Sequence, residues 1–518
     1  MQEESIYFWV KAIALRIIFI VLCFLGQHAI CQPPSKRPPN VILIIVDDLG
    51  YSDLASYGNQ HIHTPHIDSL GISGVRFTRA YVTSPICAPS RAGIMTGRYQ
   101  NRFGSEFMPY PDFSPAFMKE LRSQYLPFHE KSPGLKNVHP KFGINKSKYH
   151  SGLPPDEITI AELLKKNGYA TGLVGKWNLG EESGRYPVDQ GFDYSYYFSA
   201  ALTRYVDDPI DTSRYISQHL PWALSELPAW QPRAASTAIR DGKVEVKDTG
   251  YLTFSFAKKA VDFIEQRKDG PFFLTLSFNA PHDPFQVPKN YFDRLSAVSD
   301  TVKRVYFGMI EALDDAIGTV MQKLRDLSLD SNTLVIFISD NGGATYTRAT
   351  DNAPLRGGKC THFEGGLEVP FFISYPGLIS PQVFDRPVSS LDIFSTALAL
   401  THVALPEGKI YDGVNLVPYL SNGQSPHDIF YWRSGFSKAI LEGNWKLYVN
   451  ERSHARFLFN LGNDISETKD LLSQFPEKAK ELQHDLEQWE KTQTVPPAWP
   501  SASDISIDVN GEEFLFPG

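Results

Sequence analysis

Four stretches of this chain are near-continuous apolar runs of strand length, and each ends abruptly in polar residues. Asn40 to Val46 (NVILIIV) runs into Asp47-Asp48-Leu49-Gly50. Ala170 to Val174 runs into Gly175-Lys176-Trp177, and Phe272 to Phe278 into Asn279-Ala280-Pro281-His282. Leu334 to Ser339 runs into Asp340-Asn341-Gly342-Gly343. A strand with one solvated face alternates polar and apolar residues. One covered on both faces reads as an unbroken, β-branched-rich apolar run, as these do, so all four are expected to be buried parallel strands. Helical patterns lie between them. Thr159 and Glu162 form a capping box, Leu163 and Leu164 supply an apolar face and Gly168 stops the helix. Residues 251–267 and 303–327 also carry helical apolar spacing. The alternation predicts an α/β fold, a large mostly parallel sheet sandwiched by helices. In such sheets ligands bind beyond the carboxyl ends of the strands, where all four polar clusters fall.

The rest of the chain divides by texture. Lys11 and Arg16 precede the apolar run Ile17 to Leu25, and Ala29 and Cys31 form a small-x-small site, so residues 1–31 read as a secretory signal peptide. The run is short of the ~20 apolar residues of a membrane span. A lipid anchor through Cys31 is the lesser alternative, because His28 and Ile30 flank it poorly. A secreted or periplasmic location follows. Residues 32–39, with Pro33, Pro34, Pro38 and Pro39, form a stiff linker. The main domain is read as 40–424. From 425 to 518 short antiparallel strands (Ile429 to Trp432, Lys438 to Leu441, Trp445 to Val449) and an amphipathic helix, Lys478 to Glu490, suggest a smaller α+β domain. Residues 105–150 stand apart as an irregular insertion near the site, rich in Pro, aromatics and His, with seven Lys/Arg against four acids. The whole chain carries a net charge of -8, which gives no basis for a nucleic-acid partner. With only four cysteines, Cys23, Cys31, Cys87 and Cys360, an exported chain has no disulfide framework, and Cys87 and Cys360 are left for other uses.

Cys87-Ala88-Pro89-Ser90-Arg91, followed by Ala92-Gly93 and Thr96-Gly97-Arg98, resembles the sulfatase motif C-x-P-S-R, whose cysteine is oxidised after translation to formylglycine. Val46 to Gly50 looks like the first metal-binding segment of that family. Gly175-Lys176-Trp177-Asn178-Leu179-Gly180 is similar to its G-K-W-H-L-G, and Pro281-His282-Asp283-Pro284 to its P-H-x-P. Asp340 to Gly343 resembles its second metal segment, and Leu355-Arg356-Gly357-Gly358-Lys359 with Glu364-Gly365-Gly366 its R-G-G-K…E-G-G. On these blocks, from about residue 40 to 475, the chain resembles the type I, formylglycine-dependent sulfatases of the alkaline phosphatase superfamily, and among them a bacterial carbohydrate sulfatase. The resemblance implies the alkaline-phosphatase-like fold, a bound Ca²⁺, a formylglycine made from Cys87 and a formylglycine-generating maturation enzyme as partner.

The chemistry of each role is consistent with the residue types. Asp47, Asp48, Asp340 and Asn341 offer hard oxygen ligands at two strand ends, a set that suits Ca²⁺ with its ~6–8 oxygens, residue 87 and the substrate's sulfate completing it. Either pair alone could equally cap a turn. A formylglycine aldehyde hydrates to a gem-diol; one hydroxyl attacks sulfur and the second later expels sulfate, which an ordinary Ser or Cys cannot do. Arg91, Lys176 and Lys359 would hold the charge that develops on the sulfate oxygens. By resemblance, Arg91 steadies residue 87 and the metal region, and Lys359 and His282 lie near the leaving oxygen. His282 is the candidate general acid, its unperturbed pKa near ~6.5 lying within reach of neutrality. Lys176, Asn178, His282 and Lys359 are the expected substrate contacts. Asn178 departs from the family's usual His; an amide hydrogen-bonds but cannot act as a base. It is expected to orient residue 87. Cys360 reads as a packed small hydrophobe.

The family cleaves sulfated sugars, steroids and aryl sulfates. No hydrophobic hairpin anchor of the steroid type is visible, and the basic, aromatic 105–150 segment suits a sulfated oligosaccharide, such as an algal galactan or a glycosaminoglycan; an ornamental surface loop is the alternative. Few cysteines and a single sequon, Asn145-Lys146-Ser147, favour a bacterial exported enzyme. Two other readings stand beside this one: a phosphodiesterase or phosphonate monoester hydrolase of the same superfamily, and a carbohydrate-binding pseudosulfatase with Asn178 in place of the base.

Overall fold

In the computed structural model all four apolar runs are strands, Asn40–Asp47, Ala170–Lys176, Phe272–Pro281 and Thr333–Ser339, and they lie side by side. The structure describes residues 37–109, 135–140, 152–207, 210–218, 232–494 and 503–517. The signal peptide, most of the linker and most of the 105–150 segment, with its sequon, lie outside them.

The four strands form the middle of a ten-stranded sheet. Its order from edge to edge is Gln382–Phe384, Val75–Phe77, Phe371–Ser374, Thr333–Ser339, Asn40–Asp47, Phe272–Pro281, Ala170–Lys176, Tyr194–Phe198, Ile239–Asp241 and Val244–Val246. The central pairings are parallel, with Val41 opposite both Phe273 and Leu334; antiparallel strands stand toward both edges. The period-two alternation of a strand explains the two layers. Ile42, Ile44 and Val46 face one core with Phe256, Ile264, Ile310 and Leu313, from helices Leu252–Arg267 and Thr301–Asp326. Val41, Leu43 and Ile45 face the other, with Ile94, Ile160, Leu164 and Phe394. The capping box at Thr159 is formed in both directions.

Ile429–Ser434, Ser437–Glu442, Trp445–Asn450 and Ala455–Asn460 make a four-stranded antiparallel sheet of successive hairpins. Helix Pro476–Glu490 lays Leu482 and Leu486 on its Ile440, Leu447 and Leu458. One feature departs from the sequence reading. Leu135–Pro140, within the segment taken as irregular, is a strand paired with Ser503–Val509, which in turn pairs with Glu512–Pro517. Its partner lies more than 360 residues away, and no local pattern announces such a pairing. Phe514 of that C-terminal hairpin packs on Phe363, 5.2 Å between ring centroids, so the hairpin backs the segment that carries Lys359.

Candidate active site

The carboxyl ends of the central strands deliver the polar clusters to one place. The register of Asn40–Asp47 against Phe272–Pro281 shifts between Ile45 and Asp47, bringing Asp47 opposite Pro281. Asp48 then adopts a left-handed backbone (φ 63°), so successive carboxylates leave the strand in different directions. Gly175 has φ 111°, and a side chain there would put its Cβ 1.8 Å from the Ser277 carbonyl; only glycine lets the chain deliver Lys176 this close to the next strand.

Cys87 is the first residue of helix Cys87–Thr96, every residue of which is buried. Its Sγ lies 3.4 Å from Asp47 Oδ1. The other Asp47 oxygen accepts from Lys176 Nζ at 2.6 Å. Arg91, one turn along the helix, donates from Nε to Asp340 Oδ2 at 2.8 Å and from Nη1 to Ser277 Oγ at 2.5 Å, and its Nη2 stands 3.8 Å from Asp47. Asp340 also accepts from the Asp48 amide at 3.3 Å. On the far side, Asp48 accepts from Asn341 Nδ2 at 2.7 Å and from Lys359 Nζ at 2.9 Å. His282 Nε2 is 3.4 Å from Asp48 and 2.8 Å from Lys359 Nζ. Its Nδ1 meets the Asp283 carbonyl at 2.5 Å. The carbonyl can only accept, so Nδ1 carries a proton, and this contact fixes the ring with Nε2 toward Asp48 and Lys359. Ligand atoms of Asp47, Asp48, Cys87 and His282 all lie within 4.8 Å of one another.

The electrostatics follow from burial plus neighbours. Burial works to raise the Asp47 pKa, but Lys176, His282 and Arg91 together outweigh it, and the carboxyl stays below its usual range. Asp48 is likewise held low against burial, by His282 and Lys359. Burial wins at Asp340, whose pKa is raised even beside Arg91. For His282, burial disfavours the cation but Asp48 more than compensates, and its pKa is held well above the ordinary value.

Nine of the ten residues expected from the sequence share these contacts; Asn178 does not, and Cys360, given no catalytic role, stays apart. Asn178 is buried with a left-handed backbone (φ 56°), and its Oδ1 has no hydrogen-bond partner. Cys360 is half-buried against aromatic side chains, and burial pushes its thiol up to about 12, which suits an inert packing residue. Three supporting residues escaped the sequence reading. Ser277 bridges Arg91 and the Lys176 carbonyl, which it meets at 2.6 Å. Tyr306 donates both to the Asp48 carbonyl at 3.0 Å and to Asp53 at 2.6 Å. Asp53 in turn accepts from Gly50 and Thr350, and burial pushes it to about 6. The one local signal was a serine inside a largely apolar strand.

The sulfatase family model matches residues 39–403. The chain belongs to the sulfatase family. Sulfatases are sulfuric ester hydrolases, and this one is 30% identical over 420 residues to the N-acetylgalactosamine-6-sulfatase of Homo sapiens, covering 80% of this chain and 72% of that protein. It is also 30% identical over 481 residues to the steryl-sulfatase of Mus musculus, covering 80% and 71%. Among solved structures, Ps i-CgsB in complex with k-i-k-neocarrahexaose superposes with a TM-score of 0.74 at 31% identity, over 89% of this sulfatase and 94% of that chain. Relatives named for a sugar and for a steroid are equally identical, so overall identity does not choose the substrate.

Proposed function

We propose that this sulfatase removes sulfate from a sulfated oligosaccharide of the galactan kind, using a formylglycine made from Cys87 and a bound Ca²⁺. The observation that carries the reading is the buried convergence of Lys176, Lys359, Arg91 and His282 on the two carboxylates beside Cys87. The structural relative solved with k-i-k-neocarrahexaose supports the substrate class.

The residues fit a hard divalent cation. Asn341 Oδ1 is buried and accepts no hydrogen bond, while its amide nitrogen is engaged by Asp48. A buried carbonyl left unsatisfied is costly, and a cation would satisfy it. Asp47, Asp48, Asp340, Asn341 and residue 87 would hold the ion, and all five are buried. When present, the ion polarises sulfate oxygens and the formylglycine supplies the nucleophile.

The chain's own groups divide the remaining work. Three carboxylates face three permanent cations, Arg91, Lys176 and Lys359, so a divalent ion would give the cavity the positive charge that a sulfate ester requires. Lys176 and Lys359 are donors to Asp47 and Asp48 and can turn to sulfate oxygens. His282 holds a proton at the site of the leaving oxygen, its ring fixed by the Asp283 carbonyl. Arg91 is locked by Asp340 and Ser277 and braces the helix that starts at residue 87. Asn178 orients residue 87 through an amide without acting as a base.

Export through the signal peptide and the division at residue 424 belong to the same proposal. Mass spectrometry across residue 87, paired with sulfate release from k-i-k-neocarrahexaose and from aryl esters, tests the reading. Turnover of the glycan in proportion to the converted fraction is expected. A fully converted enzyme that cleaves only small aryl esters would remove the glycan assignment. Preference for a phosphodiester or phosphonate would move the enzyme to the related hydrolases, and glycan binding without turnover would make it a pseudosulfatase.

A further inference from the structure

The polypeptide leaving His282 does not turn back into the sheet. It forms a short strand, Phe285–Pro288, paired antiparallel with Tyr215–Gln218. Beside this ribbon lies an open cavity of roughly 560 Å³, within the size range of ligand pockets. Tyr251 and Phe254 form part of its floor, and Arg214, Tyr215, Lys289 and Asn290 its rim. Helix Leu252–Arg267 runs antiparallel to the strand that follows it, so Tyr251 stands at the end of the sheet that carries the catalytic cluster.

The cavity is tied to the catalytic histidine. Tyr205 donates to the carbonyls of His282 (2.8 Å) and Asn279 (2.6 Å). Its ring stacks on Tyr251 at 5.5 Å, which stacks on Tyr215 at 6.3 Å. The Arg214 guanidinium lies over the outer side of that ladder, 5.5 Å from the Tyr215 centroid. Tyr251 also donates to the Gln286 carbonyl at 2.9 Å. A guanidinium stacked on a ring keeps its N–H edges free to bind an oxyanion. Asp211, the acid beside Arg214, is engaged by Ser213; Lys289 pairs with Asp293, an exposed i,i+4 contact worth little, which an arriving sulfate can displace. Neither acid lines the cavity.

We propose that this cavity is a second glycan subsite, which takes a sugar remote from the scissile ester and meets its sulfate with Arg214, assisted by Lys289. The half-buried Phe254 and the cationic rim suit a sugar's C–H face and its anionic substituent. Six Cα–Cα steps link His282 to Pro288, at most roughly 20 Å of extended chain, which lies within the reach of an oligosaccharide. The inference rests on the sulfated-glycan reading and explains how one enzyme would favour polymer fragments over small esters.

The double variant Arg214→Ala/Lys289→Ala tests it, because both side chains are exposed and neither belongs to the catalytic cluster. With k-i-k-neocarrahexaose its KM should rise about tenfold while kcat stays constant, the signature of lost binding common to ground and transition states. Its KM should also depend less on salt, and para-nitrophenyl sulfate should be cleaved at the wild-type rate. An unchanged hexaose KM, or equal losses on both substrates, would overturn the subsite. Calorimetric titration of the hexaose into Cys87→Ala, with and without the double change, separates this from the hydrolytic reading. Weaker binding in the double variant supports the subsite even if no sulfate is released; equal binding refutes it even if hydrolysis is established.

Discussion

Lys359 touches both Asp48 and His282, so it links the acidic pair to the group proposed to protonate the leaving oxygen. Lys359→Ala should lower kcat by roughly 10²–10³, the usual loss when one donor to a developing oxyanion is removed, as measured by sulfate release. Asn178 gives a kinetic test of a different kind. If its amide only orients residue 87, Asn178→His should alter the ratio of burst to steady-state rate; identical burst and steady-state rates in the two enzymes would exclude a role in intermediate breakdown. Away from the site, His427 Nε2 is 2.8 Å from Asp392 Oδ1. Burial disfavours its cation, but Asp392 outweighs that and raises its pKa. The pair's contribution, about 1.5 kcal/mol, should be complete below the unfolded pKa near ~6.5 and fade as pH rises through the folded value. Denaturant titrations of wild type and His427→Gln should therefore diverge in mild acid and converge at alkaline pH. At this scale, residues lying in contiguous motifs were legible in the sequence. Ser277, Asp53 and Tyr306 were not, because their roles exist only through contacts between distant segments.

Among the elements, the short helix Glu364–Leu367 beside the Lys359 segment is held by buried charge. Glu364 accepts from Lys446 at 2.7 Å and from Tyr81 at 2.7 Å, while its amide donates to Glu467. Lys446, from the antiparallel sheet, also meets Glu467 at 2.9 Å, and all three charged side chains are fully buried. Gly366 of the helix accepts from Gly342, next to Asn341, so the network reaches the metal segment through one backbone contact. Lys446→Met should cost about 3–5 kcal/mol in denaturant unfolding, since it strands two buried acids. The central strands could be read from the sequence because burial on both faces leaves a continuous apolar signature. The three-residue strand Val75–Phe77 and the pairing of Leu135–Pro140 with Ser503–Val509 could not, because such short segments owe their state to partners far along the chain.

At the scale of the whole molecule, three buried acids converging from two strand ends should make stability depend on cation supply. Adding EDTA should lower Tm and restoring Ca²⁺ should recover it, by mass action on a site present only in the folded chain, while Asp340→Asn should blunt the response in differential scanning calorimetry. The same closure bears on how activity is acquired. Cys87 is 1% exposed, in a helix with no exposed residue. Were Cys87 the site of conversion, such burial would keep a modifying enzyme from the thiol once the chain has folded. Incubating the folded, unconverted protein with a formylglycine-generating enzyme should leave residue 87 unchanged by mass spectrometry, whereas the unfolded chain should be converted. The competent fraction of any population would then be fixed during the interval between synthesis and folding. A late-arriving modifier could not rescue a molecule that closed too soon, and folding speed itself would become a determinant of yield.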